Sequence, residues 1–279
     1  MAGTGRRRGT SVLVKRHSAA TRLTHWINAL ALAVLLMSGL QIFNAHPALY
    51  WGHKSTFAAP WIAMTAAERD GRSVGLTRLG PITLETTGVL GYSGPPGARA
   101  ARGFPAWATI PSYRSLADGR NWHFFFAWLL VGNGAVYLAV SLLSGHLARD
   151  LWPRREQLKL AHIAHEIATH ARLQFPRGEA ARSYNVLQKA SYLAVILVLL
   201  PLMVATGLAM SPGLDAGAPW LVDLFGGRQS ARTVHFLCAF TLVAFVAVHL
   251  VMVVASGTWN NVRSMITGRY AIEVEGERP

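Results

Sequence analysis

Val234-His-Phe-Leu-Cys-Ala-Phe-Thr-Leu-Val-Ala-Phe-Val-Ala-Val-His249-Leu-Val-Met-Val-Val-Ala255 holds two histidines and no Asp, Glu, Lys or Arg. Its length fits the roughly 20 residues a helix needs to cross a hydrocarbon core. Titratable side chains at that depth are costly and mark function. His235 and His249 are fourteen residues apart. At about 100° and about 1.5 Å per residue, the two rings leave nearly the same helix face about 21 Å apart. Two metal centres, one near each face of a bilayer, would need that spacing.

Three more runs of this kind occupy residues 25–43, 122–143 and 192–210. Only helices and closed barrels satisfy their backbone groups in lipid, and uninterrupted apolar runs of this length are not barrel strands. The composition agrees, because 14% charged residues is well under the roughly 25% of soluble domains. The expected fold is therefore an all-α membrane protein, a four-transmembrane-helix bundle. A basic tail (1–24) precedes the bundle domain (25–256), with spans at 25–43, 122–143, 192–210 and 234–255, and a tail (257–279) follows. Within the bundle domain lie a long outer loop (44–121) and an inner segment (144–191).

The first run is read as a retained span. No small-residue cleavage site follows it, only Asn44-Ala-His-Pro-Ala-Leu-Tyr-Trp51, and Arg6-Arg7-Arg8 lacks the apolar context of a twin-arginine export signal. The outer loop is rich in Gly, Pro and aromatics, as in Tyr92-Ser-Gly-Pro-Pro-Gly97. A connection this long has structure or function of its own, and an ordered cap with short interfacial helices is expected. Residues 151–173 are basic and amphipathic and predict one helix lying at the cytoplasmic interface. Pro176-Arg-Gly178 ends it, and a helix restarts at Ala180. The tail from Ile272 is acidic and is expected to be disordered.

The net charge of +14 suits a membrane protein whose Lys and Arg gather in cytoplasmic segments. The tail before the first span holds six of them (Arg6, Arg7, Arg8, Lys15, Arg16, Arg22), and eight lie between Arg149 and Lys189. The short third connection holds two, Arg228 and Arg232. This orients both termini to the cytoplasm of a bacterial inner membrane and accounts for the charge without nucleic acid. The outer loop carries eight basic residues, but a loop so long escapes the charge rule. The single cysteine, Cys238, excludes an internal disulfide, a Cys-rich zinc site and a cysteine-ligated iron–sulfur cluster. It reads as a small packing residue.

Span order sorts the histidines. His25 opens span one at the inner level, and His249, near the far end of span four, shares it. His123 opens span two at the outer level, and His235 opens span four there. The pairs are His25 with His249 and His123 with His235; crossed pairs would have to bridge most of the membrane. Paired neutral imidazoles suit the two axial positions of haem iron, and filling both favours electron transfer over oxygen binding. By contrast, His162-Ile-Ala-His165-Glu166-Ile-Ala-Thr-His170 has one residue too many for the zinc-peptidase pattern. Histidines at i and i+5 diverge by about 140° around a helix, so this is read as a polar interfacial face. His17, His46, His53 and His146 lie in tails or loops and carry no such signal.

With Arg22-Leu-Thr-His25-Trp26, the His235/His249 spacing and Tyr184-Asn185-Val-Leu-Gln188-Lys189, the chain resembles the bacterial di-haem cytochrome b561 family, in its hydrogenase, formate dehydrogenase and thiosulfate reductase cytochrome b branch. The resemblance implies two non-covalent b-type haems, a quinone site near the inner haem and a redox partner enzyme at the outer face. It also implies Asn185, Gln188 and Tyr184 as quinone-site residues, beside the plainer reading of Asn and Tyr as helix cap and interfacial anchor. The outer loop is longer than in compact members, and members with such loops accompany periplasmic molybdopterin oxidoreductases. Two other functions remain open on sequence: a stand-alone di-haem oxidoreductase of superoxide-oxidase type, and a haem-free membrane anchor.

Overall fold

The computed structural model describes residues 10–172 and 184–274. In chain order its elements are β1 (Thr10–Lys15), α1 (Ala19–Phe43), β2 (Ala48–Leu49), β3 (Ile62–Arg69), β4 (Arg72–Leu79), β5 (Ile82–Glu85), β6 (Tyr92–Ser93) and β7 (Ala100–Ala101). There follow α2 (Leu116–Leu143), α3 (Leu160–Ala171), α4 (Val186–Ala194), α5 (Leu200–Ala209), α6 (Pro212–Gly217), α7 (Pro219–Leu224), α8 (Arg228–Ala255), α9 (Thr258–Thr267) and β8 (Arg269–Val274).

Among the described residues four helices are long and apolar enough to cross a membrane: α1, α2, Val186–Ala209 and α8. Their outward residues stay apolar, with Leu30, Phe125, Trp128, Leu143, Val248 and Val251 all exposed. A soluble helix would turn a polar face outward there. The mostly helical, four-span fold is the expected one. Each helix starts six residues before its apolar run, at Ala19, Leu116, Val186 and Arg228. Those opening turns are polar, as in Leu116-Ala-Asp-Gly-Arg-Asn121. Backbone hydrogen bonding extends a helix where hydropathy registers nothing.

The third span contains a π-helical turn, Val195–Leu199, between α4 and α5. Pro201 follows it. Proline offers no N–H to the carbonyl four residues back, and its ring crowds that group. A wider turn there lets the helix pass the proline without breaking.

The described residues divide into two compact units. One comprises Ile27–Asn133 and Leu199–Leu242. Here the long connection after α1 is ordered, as expected, but it is a β-structure and not a set of interfacial helices; its helical content is one 3-10 turn, Ala106–Ala108. Strands pair antiparallel in the order β2-β3-β4-β5, and β6 pairs with β7. The β3–β4 hairpin turns on Asp70 (φ 50°) and Gly71 (φ 69°), with Arg69 opposite Arg72. Two consecutive positive φ values make the two-residue turn whose twist suits a hairpin, and Asp-Gly is the sequence that accepts them.

This connection is bonded to the end of α1 and the start of α8. Phe43, Leu49, Ile62, Met64 and Phe104 form a buried apolar cluster. Asn44 makes a reciprocal pair with Phe104: its Nδ2 donates to the Phe104 carbonyl (3.1 Å) and its Oδ1 accepts the Phe104 N–H (2.6 Å). The buried Arg102 guanidinium donates to Gln41 Oε1, Thr109 Oγ1 and the Ser112 carbonyl. From α8, Arg232 donates to the His46 and Ala48 carbonyls and Thr233 Oγ1 to the Tyr50 carbonyl.

In the other unit, β1 and β8 pair antiparallel with Val12 opposite Ile272. Ile272 is buried, so residues 272–274 form strand and not the expected disordered tail. The inner segment also departs from one long helix. A π-helical turn (Leu147–Leu151) and a 3-10 turn (Arg155–Leu158) precede α3. The break falls at Trp152-Pro153, because a residue before proline is pushed out of the helical region; Trp152 has ψ 129°. The Arg6–Arg8 cluster, the break at Pro176–Gly178 and the restart at Ala180 lie outside the described residues.

Replacing Asn44 by Ala strips a buried N–H and a buried carbonyl of their partners, which costs roughly 2 kcal/mol or more. Purified Asn44→Ala protein should unfold at lower temperature and lose resistance to trypsin at Arg69 and Arg72 in the hairpin, while helix content by circular dichroism is retained.

Candidate functional site

Each unit holds one of the two histidine pairs. His123 of α2 and His235 of α8 face each other with ring centroids 6.3 Å apart and planes at 61°. His25 of α1 and His249 of α8 form a pair with the same separation and angle, 6.3 Å and 61°. The expected partners therefore meet. A metal–imidazole nitrogen bond is about 2 Å, and the centroid lies roughly 1 Å behind that nitrogen. Two rings binding one ion from opposite sides therefore stand about 6 Å apart, the spacing found twice. Among the described residues no three His, Cys, Asp or Glu gather as a metal cluster. Haem iron does not need one, since the porphyrin supplies four nitrogens and the protein two. The residues fit that group.

The surroundings of the pairs differ. Around His123 and His235 two buried hydroxyls meet the rings: Ser38 Oγ lies 3.1 Å from His123 Nδ1, and Thr206 Oγ1 lies 2.9 Å from His235 Nδ1. Ser38 and Thr206 are both 0% exposed. A glycine follows each hydroxyl. A Cβ on Gly39 would sit 3.3 Å from His123 Cε1, and one on Gly207 would sit 3.6 Å from His235 Cε1. Glycine inside a helix costs about 0.5–1 kcal/mol relative to alanine; here it leaves room for a ring against the helix backbone.

His25 and His249 are held by rings. Trp26 meets His25 edge-on at 5.4 Å, and Phe245 stacks on His249 at 6.1 Å and 17°. Trp26 Nε1 donates to the Met265 carbonyl (3.0 Å) and Arg22 to the Ile266 carbonyl, tying the start of α1 to the end of α9.

Tyr184, Asn185 and Gln188 sit in the same unit as His25 and His249. Asn185 caps α4: its Oδ1 accepts the Gln188 N–H (2.9 Å), and Gln188 Oε1 accepts the Asn185 N–H (3.3 Å). The Tyr-Asn-x-x-Gln pattern is thus a capping box, and both amides are engaged in starting the helix. Tyr184 is placed differently. Its hydroxyl lies 3.4 Å from His17 Nδ1 and its ring lies 5.6 Å from the Arg16 guanidinium. Burial, with a smaller contribution from Tyr192, pushes the Tyr184 phenol up to about 12. Burial, reinforced by Arg16, pulls His17 down to about 4. Both groups are neutral at pH 7. His17 is one of the residues that sequence reading missed, because a histidine in a tail gives no signal until the chain brings it to Tyr184.

Among the remaining histidines, His162 and His46 make local contacts. His162 lies 3.9 Å from Glu166 on α3, in keeping with a polar face, and His46 bonds and stacks with Tyr50.

The profile of the prokaryotic cytochrome b561 family matches residues 16–268. A protein of Azospira oryzae named "Putative protein-methionine-sulfoxide reductase subunit YedZ1" is 27% identical over 237 residues, covering 85% of this chain and 89% of the relative. No solved structure matches.

The half-buried His17 has a pH consequence. An unfolded chain protonates it near the ordinary 6.5, the folded one only near 4. Proton uptake between those values therefore favours unfolding, and stability present above pH 6.5 is lost as pH falls towards 4. The unfolding temperature of the native protein should drop across that window by more than that of His17→Gln; equal drops would remove His17 as the cause.

Proposed function

Because the chain belongs to the prokaryotic cytochrome b561 family, a family of membrane electron-transfer subunits with b-type haem, we propose that it holds two haems, one between His123 and His235 and one between His25 and His249. The observation that carries this is the repeated pair geometry, 6.3 Å and 61° in both. The family match and four helices of spanning length support the membrane setting.

In this reading the protein moves electrons between the quinone pool and a redox enzyme outside a bacterial inner membrane. Bound haem supplies one-electron exchange between ferric and ferrous iron. The chain's residues do the rest. The imidazoles of His123 with His235 and of His25 with His249 would hold the haems, and two protein ligands to each iron would favour electron transfer over oxygen binding. The apolar helices keep water from the rings. Quinone is assigned to the unit of His25 and His249, where Tyr184 and His17 offer a neutral phenol and a neutral imidazole in contact, suited to hold or pass a proton between Tyr184 Oη and His17 Nδ1. Asn185 and Gln188, as the capping box, set the position of Tyr184 at the entrance to the third span.

Antiparallel pairing of β1 with β8 joins the segment before α1 to the segment after α9, which supports both lying on one side, taken as cytoplasmic from the distribution of Lys and Arg. The connection between α1 and α2 then faces the partner. The relative named as a reductase subunit supports a periplasmic redox enzyme in that role, one that is molybdopterin-dependent.

Four single variants test the pairing. His123→Ala and His235→Ala should each lose the same haem, and His25→Ala and His249→Ala the other, by dithionite-reduced spectra with haem quantified per chain. If His123→Ala and His249→Ala lost the same haem, the pairing would be wrong. In wild-type protein, added quinol should first reduce the haem that His25→Ala removes; prior reduction of the other would overturn the quinone assignment.

A further inference from the structure

Ser38-Gly39-Leu40 near the end of α1 and Thr206-Gly207-Leu208 near the end of α5 repeat one pattern, a hydroxyl residue followed by Gly and Leu. Each copy meets one ring of the same histidine pair. The chemistry of the contact follows from where the hydroxyl protons go. Ser38 Oγ donates to the Val34 carbonyl at 2.7 Å, and Thr206 Oγ1 to the Leu202 carbonyl at 2.7 Å. A hydroxyl has one proton and two lone pairs. With its proton on the helix carbonyl, each oxygen can only accept from the ring, so the proton of His123 and of His235 sits on Nδ1. The nitrogen left with a free lone pair is Nε2 in both rings.

The other pair lacks this device. Among the described residues no hydrogen bond reaches the ring nitrogens of His25 or His249, whose neighbours are the rings of Trp26 and Phe245. Two sites of equal spacing thus differ in how their imidazoles are held.

We propose that Ser38 and Thr206 are positioning residues that fix the Nδ1–H tautomer and the ring orientation of His123 and His235, and that they act on this haem site alone. The inference rests on the ligand reading above. A hydrogen bond from Nδ1–H to an acceptor makes the imidazole a stronger donor to a metal, which favours ferric over ferrous iron. The Leu35 and Met203 carbonyls also accept from these two rings, so removing a hydroxyl weakens the hold on Nδ1–H without abolishing it, and should shift the balance towards the reduced form. Gly39 and Gly207 serve the same end by letting each ring lie close to the helix that carries its acceptor.

The test uses full-length purified protein with Thr206→Val, which keeps the shape and loses the hydroxyl, Ser38→Ala, and Thr206→Ser, which keeps the hydroxyl. Redox titration should find one midpoint raised in Thr206→Val and in Ser38→Ala. The expected size is about threefold in favour of the reduced form, about 30 mV for a one-electron couple. Its low-spin ferric resonance, which reports the mutual angle of the two imidazole planes, should shift or broaden. The second haem should keep its midpoint and its resonance, and Thr206→Ser should match the wild type. Two haems in all variants with both midpoints and both resonances unchanged would overturn the positioning role while leaving the ligand reading intact. Wild-type protein without two haems, or His235→Ala retaining both, would overturn the ligand reading and this inference with it.

Discussion

An imidazole inside a helix of spanning length has few ways to satisfy its two nitrogens. Lipid offers no hydrogen bonds, and most of the residues flanking it on its own helix are apolar. Here four such rings are resolved into two facing pairs, and the separation in each is the one at which a single metal ion can be bound from both sides. The rest of the molecule reads as the means of holding that separation. Glycines give up helix stability to make room for rings. A π-helical turn carries the third span past Pro201, and Thr206 comes one turn later, at His235.

The parts outside the spans act on the helix ends that carry the histidines. The connection between α1 and α2 is bonded to the end of α1 through Gln41 and Asn44 and to the start of α8 through Arg232 and Thr233. His235 lies two residues beyond Thr233. Elsewhere the end of α9 is bonded to Arg22 and Trp26, which flank His25. Each pair is therefore braced by polar contacts close to it in sequence.

Much of this was legible beforehand, and the reasons are physical. Spanning helices announce themselves because a hydrocarbon core demands length and apolarity together. The histidine pairs follow from the alternating direction of successive spans. What hydropathy could not give was where the helices begin, since turns such as Leu116–Asn121 are polar yet bonded as helix. The strands after α1 were misread although Arg69-Asp70-Gly71-Arg72 carries the turn residues of a hairpin; strands of mixed polarity leave a weaker trace than the surrounding spans. Tyr184-Asn185-Val-Leu-Gln188 has two meanings in sequence, and the geometry shows the helix cap among them. Ser38, Thr206 and His17 were not legible at all, because a hydroxyl or a tail histidine gains its role from a neighbour far away in the chain.

The central claim is that this chain holds two haems, each between two histidines. Its most direct test is the haem content of purified full-length protein, measured as the pyridine complex against protein determined by amino-acid analysis. The account predicts two non-covalent b-type haems per chain. One haem per chain, or none, would contradict it.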